Sequence, residues 1–203
     1  MVGRRMVPGG CDLLSLFPDI AKQAYGWDPC TVFPASNQKL QWRCVRNHLY
    51  LTTPNKKTSR GDGCPICSNR QLLVGFNDLA TTHPDVAASA DGWDPETVVG
   101  GCNDKKPWKC HHGHTWLSSV NDRTQGKGCP YCAGRLVWPG FNDLASQMPD
   151  LAKEAHGWDP RNVHVGSNKK LEWKCAAEGH VFIAPVSDRA GDGKQRLPTG
   201  CPY

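Results

Sequence analysis

Long apolar runs are missing from this chain of 203 residues. None approaches the ~18 apolar residues needed to cross a bilayer, which argues against a transmembrane protein. Met1 to Val7 holds no apolar core of a secretory signal, and a repeat that begins by residue 8 leaves no room for an organelle transit peptide. These absences point to an intracellular, reducing compartment, with no membrane partner. Charge of one sign is not in large excess either: a net +5 does not by itself name a partner. Methionine is scarce, at three residues, and hydrophobic residues make up only 38%. What is abundant is cysteine, eleven residues, with eight histidines beside it. Without secretion a disulfide framework is disfavoured, so this combination suggests metal.

The chain repeats itself three times. Residues 9–29, 75–95 and 140–160 each run from a glycine through Asp-Leu, Pro-Asp and Gly-Trp-Asp-Pro, with Pro18, Pro84 and Pro149 in register. Further on, Asn37–Cys44 aligns with Asn103–Cys110 and Asn168–Cys175, and the units end in GCPIC, GCPYC and GCPY. The expected organisation is an N-terminal tail at 1–7 and modules at 8–69, 70–136 and 137–203, the last stopping before its fourth ligand. Within a module the first half reads as short helices. Asn77 or Asn142 is expected to cap the first, and Pro84 or Pro149 to start the second. Gly-Trp-Asp-Pro reads as a turn that ends the helices. The second half reads as short extended runs, such as 171–175 and 114–120. A module this small cannot bury enough apolar area to be comfortably stable alone.

The cysteines and histidines supply the missing stabilisation. The first module has Cys44-x3-His48-x15-Cys64-x2-Cys67, the second Cys110-x3-His114-x14-Cys129-x2-Cys132, the third Cys175-x4-His180-x20-Cys201. Two close pairs joined by a loop deliver four thiolate and imidazole donors to a tetrahedral Zn²⁺, and the loop varies while Cys-x2-Cys does not. Proline inside Cys-Pro-x-Cys fixes a tight knuckle and leaves N–H groups free to face the sulfurs. Two to three zinc ions per chain are expected, in a structural role, because a Cys3His set leaves no open position. His111 and His112 compete with His114, but only His114 has counterparts, His48 and His180. Eight of the eleven cysteines are thereby used, leaving Cys11, Cys30 and Cys102. Cys11, read against Phe76 and Phe141, is expected to be a small core filler.

These motifs together resemble the "probable zinc-ribbon domain" repeat, a treble-clef-like family, over nearly the whole chain. The motifs are Asn-Asp-Leu-Ala, Pro-Asp-Leu-Ala, Gly-Trp-Asp-Pro, Gly-Ser-Asn-Lys-Lys, Trp-Lys-Cys, Gly-His and Gly-Cys-Pro-Tyr-Cys. The first module departs most, with Cys11-Asp12-Leu13 for Phe-Asn-Asp-Leu and Asn47-His48 for Gly-His. The resemblance implies small α+β zinc-stabilised modules, three tandem treble-clef or zinc-ribbon-like repeats, each with short helices followed by a short β-hairpin and zinc knuckles. It also implies company with endonuclease domains in some members.

The modest net charge conceals segregation. Residues 37–70 carry +6, 71–100 carry −5, 101–136 carry +4, 137–165 carry −2 and 166–203 carry +2. Basic positions recur in register beside the ligands: Lys39, Lys105, Lys170; Arg43, Lys109, Lys174; and Lys57, Arg123, Arg189. Such clusters attract phosphates, so these nine residues are the candidate nucleic-acid contacts. The same charges also suit solvated faces or packing of basic halves on acidic ones. Two tryptophan series, Trp27/Trp93/Trp158 and Trp42/Trp108/Trp173, read as core coverage ahead of base stacking. The favoured function is a non-catalytic array binding nucleic acid, DNA foremost, with no small-molecule substrate. A protein-docking subunit of a larger assembly and an accessory DNA-binding part of an endonuclease are the alternatives. His83, His156 and His164 neither recur nor stand in a catalytic motif.

Overall fold

A computed structural model describes residues 10–191 and 198–203, so the expected tail at 1–7 lies outside the described residues. The described residues fall into two compact units. One comprises residues up to Ala88 with Asp94–Cys102, the other Ser89–Trp93 with Asn103–Tyr203. No described helix is long and apolar enough to cross a membrane.

In the first unit, one-turn helices α1 (Leu13–Leu16) and α2 (Pro18–Ala21) precede the antiparallel hairpin of β1 (Leu40–Arg43) and β2 (Leu49–Thr52). Helix α3 (Pro54–Arg60) follows, then the Cys64–Cys67 knuckle and two more one-turn helices, α4 (Leu79–Thr82) and α5 (Pro84–Ala87). The second unit carries hairpin β3 (Lys105–Lys109) with β4 (Thr115–Ser119), then α6 (Val120–Thr124), α7 (Leu144–Gln147) and α8 (Pro149–Ala152). It ends with hairpin β5 (Lys170–Lys174) and β6 (Val181–Pro185), and α9 (Val186–Ala190). The architecture is the expected small α+β one.

The helix starts differ from expectation in one residue, and the reason is chemical. Asp12, Asp78 and Asp143 are the N-caps, each accepting the N–H three residues on. A carboxylate one position after Asn77 and Asn142 does the capping, which releases the asparagines for other partners. Pro18, Pro84 and Pro149 open the second helices as expected, where a missing N–H costs nothing.

Each hairpin turns one face inward. Trp42, Trp108 and Trp173 are fully buried there, opposite Tyr50, Trp116 and Phe182. Their indole N–H groups donate to the carbonyls of Thr52, Ser118 and Ala184, so the polar atom is satisfied inside. The other tryptophan series is half-buried. Trp27, Trp93 and Trp158 stand edge-on to the buried rings at 4.9, 5.1 and 5.1 Å between centroids. Each donates to a backbone carbonyl of the hairpin's first strand, at Gln41, Pro107 and Glu172. In the first unit the core gathers Leu13, Ala21, Trp42, Tyr50, Cys64 and Ile66 around this arrangement. Two of those residues flank or supply a metal donor, so packing and ligation are one structure.

Candidate metal centre

The first donor pair of each site lies in the hairpin turn. Cys44 N–H donates to the His48 carbonyl, Cys110 to His114 and Cys175 to His180, closing the loop that brings thiol and imidazole to one side. The residue before each histidine has a left-handed backbone: Gly113 at φ 82° and Gly179 at φ 75°, and Asn47 at φ 64°. Asparagine tolerates this region better than other side-chain-bearing residues, so Asn47 preserves the turn where glycine is absent. The second pair, Cys-Pro-x-Cys, occupies a single helical turn; Ser68 N–H donates to the Cys64 carbonyl and Ala133 to that of Cys129.

Two four-donor clusters result among the described residues: Cys44, His48, Cys64 and Cys67, and Cys110, His114, Cys129 and Cys132. In each, all ligand atoms lie within 4.8 Å of one another. A tetrahedral ion with Zn–S of about 2.3 Å and Zn–N of about 2.0–2.1 Å requires S···S near 3.8 Å and N···S near 3.5 Å. The observed S···S distances are 3.8 Å for Cys44–Cys67 and 3.7 Å for Cys110–Cys132. His48 Nδ1 lies 3.2 and 3.8 Å from two sulfurs, and His114 Nδ1 3.4, 3.5 and 3.7 Å from three. These donors fit zinc in both kind and spacing. His112 Nδ1 comes within 3.4 Å of Cys132 alone and is exposed, so His114, 2% exposed, is the central donor of that cluster.

The electrostatics call for a cation. Burial opposes the Cys44 and Cys110 thiolates, yet N–H groups of Arg46 and His48, and of His112 and His114, outweigh it and hold both thiols below the ordinary value. Those N–H groups belong to the Cys-x3-His turn; the expectation had placed such donors at the Cys-Pro-x-Cys knuckle. Burial, then the neighbouring cysteines, push Cys67 up to about 11 and Cys132 up to about 12. A divalent ion removes that repulsion, which is how such a set comes to be fully deprotonated.

The third donor set is looser. Cys201 Sγ stands 4.0 Å from His180 Nδ1, and His180 is exposed. N–H groups of Glu178 and Ala177 nevertheless hold the Cys175 thiol below its ordinary value.

Residues that sequence reasoning placed elsewhere brace the two clusters. Phe76 meets the His48 ring edge-on at 4.2 Å, and Phe141 meets His114 at 4.3 Å. Asn77 accepts from Leu73 N–H and donates to the carbonyls of Ile66 and Gln71. Asn142 likewise accepts from Trp138 N–H and donates to Tyr131 and Leu136. Each asparagine thus ties a knuckle to the segment that follows it. The signal was present in the recurring Asn-Asp pair, of which only Asp is free to cap. Cys11 occupies the place of Asn77 and Asn142, one ahead of the capping aspartate, and is exposed; it is not a core filler. Cys30 and Cys102 are half-buried. His83 contacts the Thr82 hydroxyl, His156 is exposed, and His164 Nδ1 accepts from Gly166 N–H.

The nine candidate basic contacts divide. Lys39, Arg43, Lys105, Lys109, Lys170 and Lys174 are exposed along or beside the first strand of each hairpin. Lys57, Arg123 and Arg189 are not surface residues. Lys57 is 4% and Arg189 5% exposed, and Arg123 is half-buried. Lys57 Nζ sits 4.8 Å from the centre of the Trp42 ring and donates to Tyr50 Oη and Gln23 Oε1. Arg123 lies over Trp108 and Trp116 and donates to Ser89 Oγ. Arg189 lies over Trp173 and Phe182, paired with Glu154. Aromatic faces on the inner side of the hairpin attract a cation strongly once water is excluded, which is why the recurring charge is drawn inside.

A family model described as "Probable Treble clef zinc finger domain" matches residues 20–70, 88–135 and 150–203. The chain belongs to this family. In this treble clef zinc finger protein the first two clusters each take one donor pair from a hairpin turn and one from a helical turn. It is also 28% identical over 103 residues to a protein of Escherichia phage T5 named "Putative endonuclease". That match takes in 51% of this chain and 35% of the phage protein, so the chain spans about a third of that relative's length.

Proposed function

We propose that this chain is a non-catalytic array of three treble clef modules that binds DNA through its hairpin faces. Zinc is held by Cys44, His48, Cys64 and Cys67, by Cys110, His114, Cys129 and Cys132, and with fewer donors by Cys175, His180 and Cys201. The observation that carries the reading is the fate of the basic residues. Six of the nine recurrent ones remain exposed along or beside the first strands of the three hairpins. Exposed cations repeated on each hairpin suit a phosphate backbone, with affinity that falls steeply as salt rises. The phage relative's name, an endonuclease, is compatible with nucleic-acid binding, and an accessory role beside a nuclease is the second reading it supports.

The test is titration of zinc-loaded protein into labelled duplex DNA at several salt concentrations. Binding at low salt, with a log–log slope that shrinks when Lys105 and Lys109 are replaced by Gln, is the expected result. No binding to duplex at low salt sinks the reading.

A further inference from the structure

The outer face of each hairpin holds an aliphatic residue that the fold does not use. Leu51, Leu117 and Ile183 are 67%, 68% and 67% exposed, while the rings of the same hairpins are turned to the opposite face. They occupy one register position in three copies, opposite Gln41, Pro107 and Glu172 respectively. A single exposed leucine is ordinary. Three at the same position, each sharing its face with an exposed cation two residues along the partner strand (Arg43, Lys109, Lys174), are not explained by packing.

Resting on the DNA-binding reading above, we infer that the two-stranded hairpin is the element that enters the nucleic acid, and that Leu51, Leu117 and Ile183 cover thymine methyl groups in the major groove. Two strands about 4.8 Å apart form a ribbon that a groove about 12 Å wide admits. The cations at the ribbon's flank then reach phosphates, and the aliphatic tip meets the only apolar group displayed on base edges, the thymine C5-methyl. In the first hairpin Gln41, opposite Leu51, has the amide that suits the adenine of the same base pair. In the third, Glu172 opposes phosphate, so that hairpin contributes least. The deep, narrow major groove of A-form RNA does not admit such a ribbon, so the inference also selects DNA.

The experiment compares zinc-loaded protein on an A·T-rich duplex with the same duplex carrying deoxyuridine for thymidine. Each covered methyl is worth about fourfold in affinity, the equivalent of ~0.8 kcal/mol. The expected result is weaker binding to the uridine duplex, and loss of that difference in the triple variant Leu51→Ser, Leu117→Ser, Ile183→Ser with its salt slope unchanged. All three positions are exposed, so the variant keeps its core. Equal binding to both duplexes by the unaltered protein overturns the inference while leaving the DNA reading standing; equal binding to double-stranded RNA overturns the inference and the choice of DNA together. Failure to bind any duplex overturns the reading beneath it.

Discussion

The second and third donor sets follow one sequence pattern, with four donors converging in the second and three among the described residues of the third. Around Cys110, His114, Cys129 and Cys132 the imidazole is buried, four donors converge within 4.8 Å, and Phe141 and Asn142 hold the knuckle from behind. Around Cys175, His180 and Cys201 the imidazole is exposed and meets the ring of Tyr203 at 5.4 Å instead. In the second centre, residues that come after the last cysteine add to what the four donors supply. Ligand spacing alone makes the donors available; the following Phe-Asn-Asp segment exclude water from the histidine and fixes the knuckle.

Removing a donor gives the largest contrast. Cys129→Ser is expected to abolish one tightly held zinc and unfold the module around it, because structural zinc contributes about 10–16 kcal/mol of apparent binding energy at neutral pH. Cys201→Ser should cost far less. Metal content after desalting, together with the dispersion of backbone NMR signals, reads both; an equal loss in the two variants breaks the comparison.

Next in size is the brace itself. Asn142→Ala strips partners from Trp138 N–H and from the Tyr131 and Leu136 carbonyls. These bonds are partly buried, and at about 0.5–1.5 kcal/mol each a loss of about 2–3 kcal/mol is expected. Zinc should also pass faster from the second centre to a chromophoric chelator. A variant as slow as the unaltered protein would show that the four donors need no help from behind.

How much of this was legible beforehand follows from what repeats can and cannot say. Donor identity was readable because ligation demands fixed residue types at fixed spacing, and Cys110, His114, Cys129 and Cys132 converge as the spacing required. Helix starts at Pro84 and Pro149 were readable from local geometry alone. Recurrence by itself was ambiguous: Lys57 and Arg123 recur as faithfully as Lys39 and Lys105, but one series points into the aromatic face and the other into solvent. Position relative to the hairpin decides this, and a sequence does not display it. Asn77 and Asn142 brace where the sequence suggests caps, since a capping asparagine and a bracing asparagine differ only in whether the next residue takes the cap.

The smallest effect concerns the cap. Burial opposes the charge on Asp143, but the Ser146 hydroxyl and the N–H groups of Ser146 and Gly140 outweigh it and hold its carboxyl below the ordinary carboxylate value. The folded protein therefore binds this proton less readily than the unfolded chain. Such a group stabilises fully above its unfolded value of about 3.9, and the contribution fades as pH falls through the lower folded value. Asn caps helices about as well as Asp, so Asp143→Asn removes mainly the charge. Its penalty, read from denaturant midpoints in excess zinc, is expected to stay flat from about pH 7 to about pH 5. A penalty that shrinks within that range would mean that Asp143 acts through the neighbouring metal donors and not through α7. The cap would then belong to the segment that supports the second centre, alongside Phe141 and Asn142.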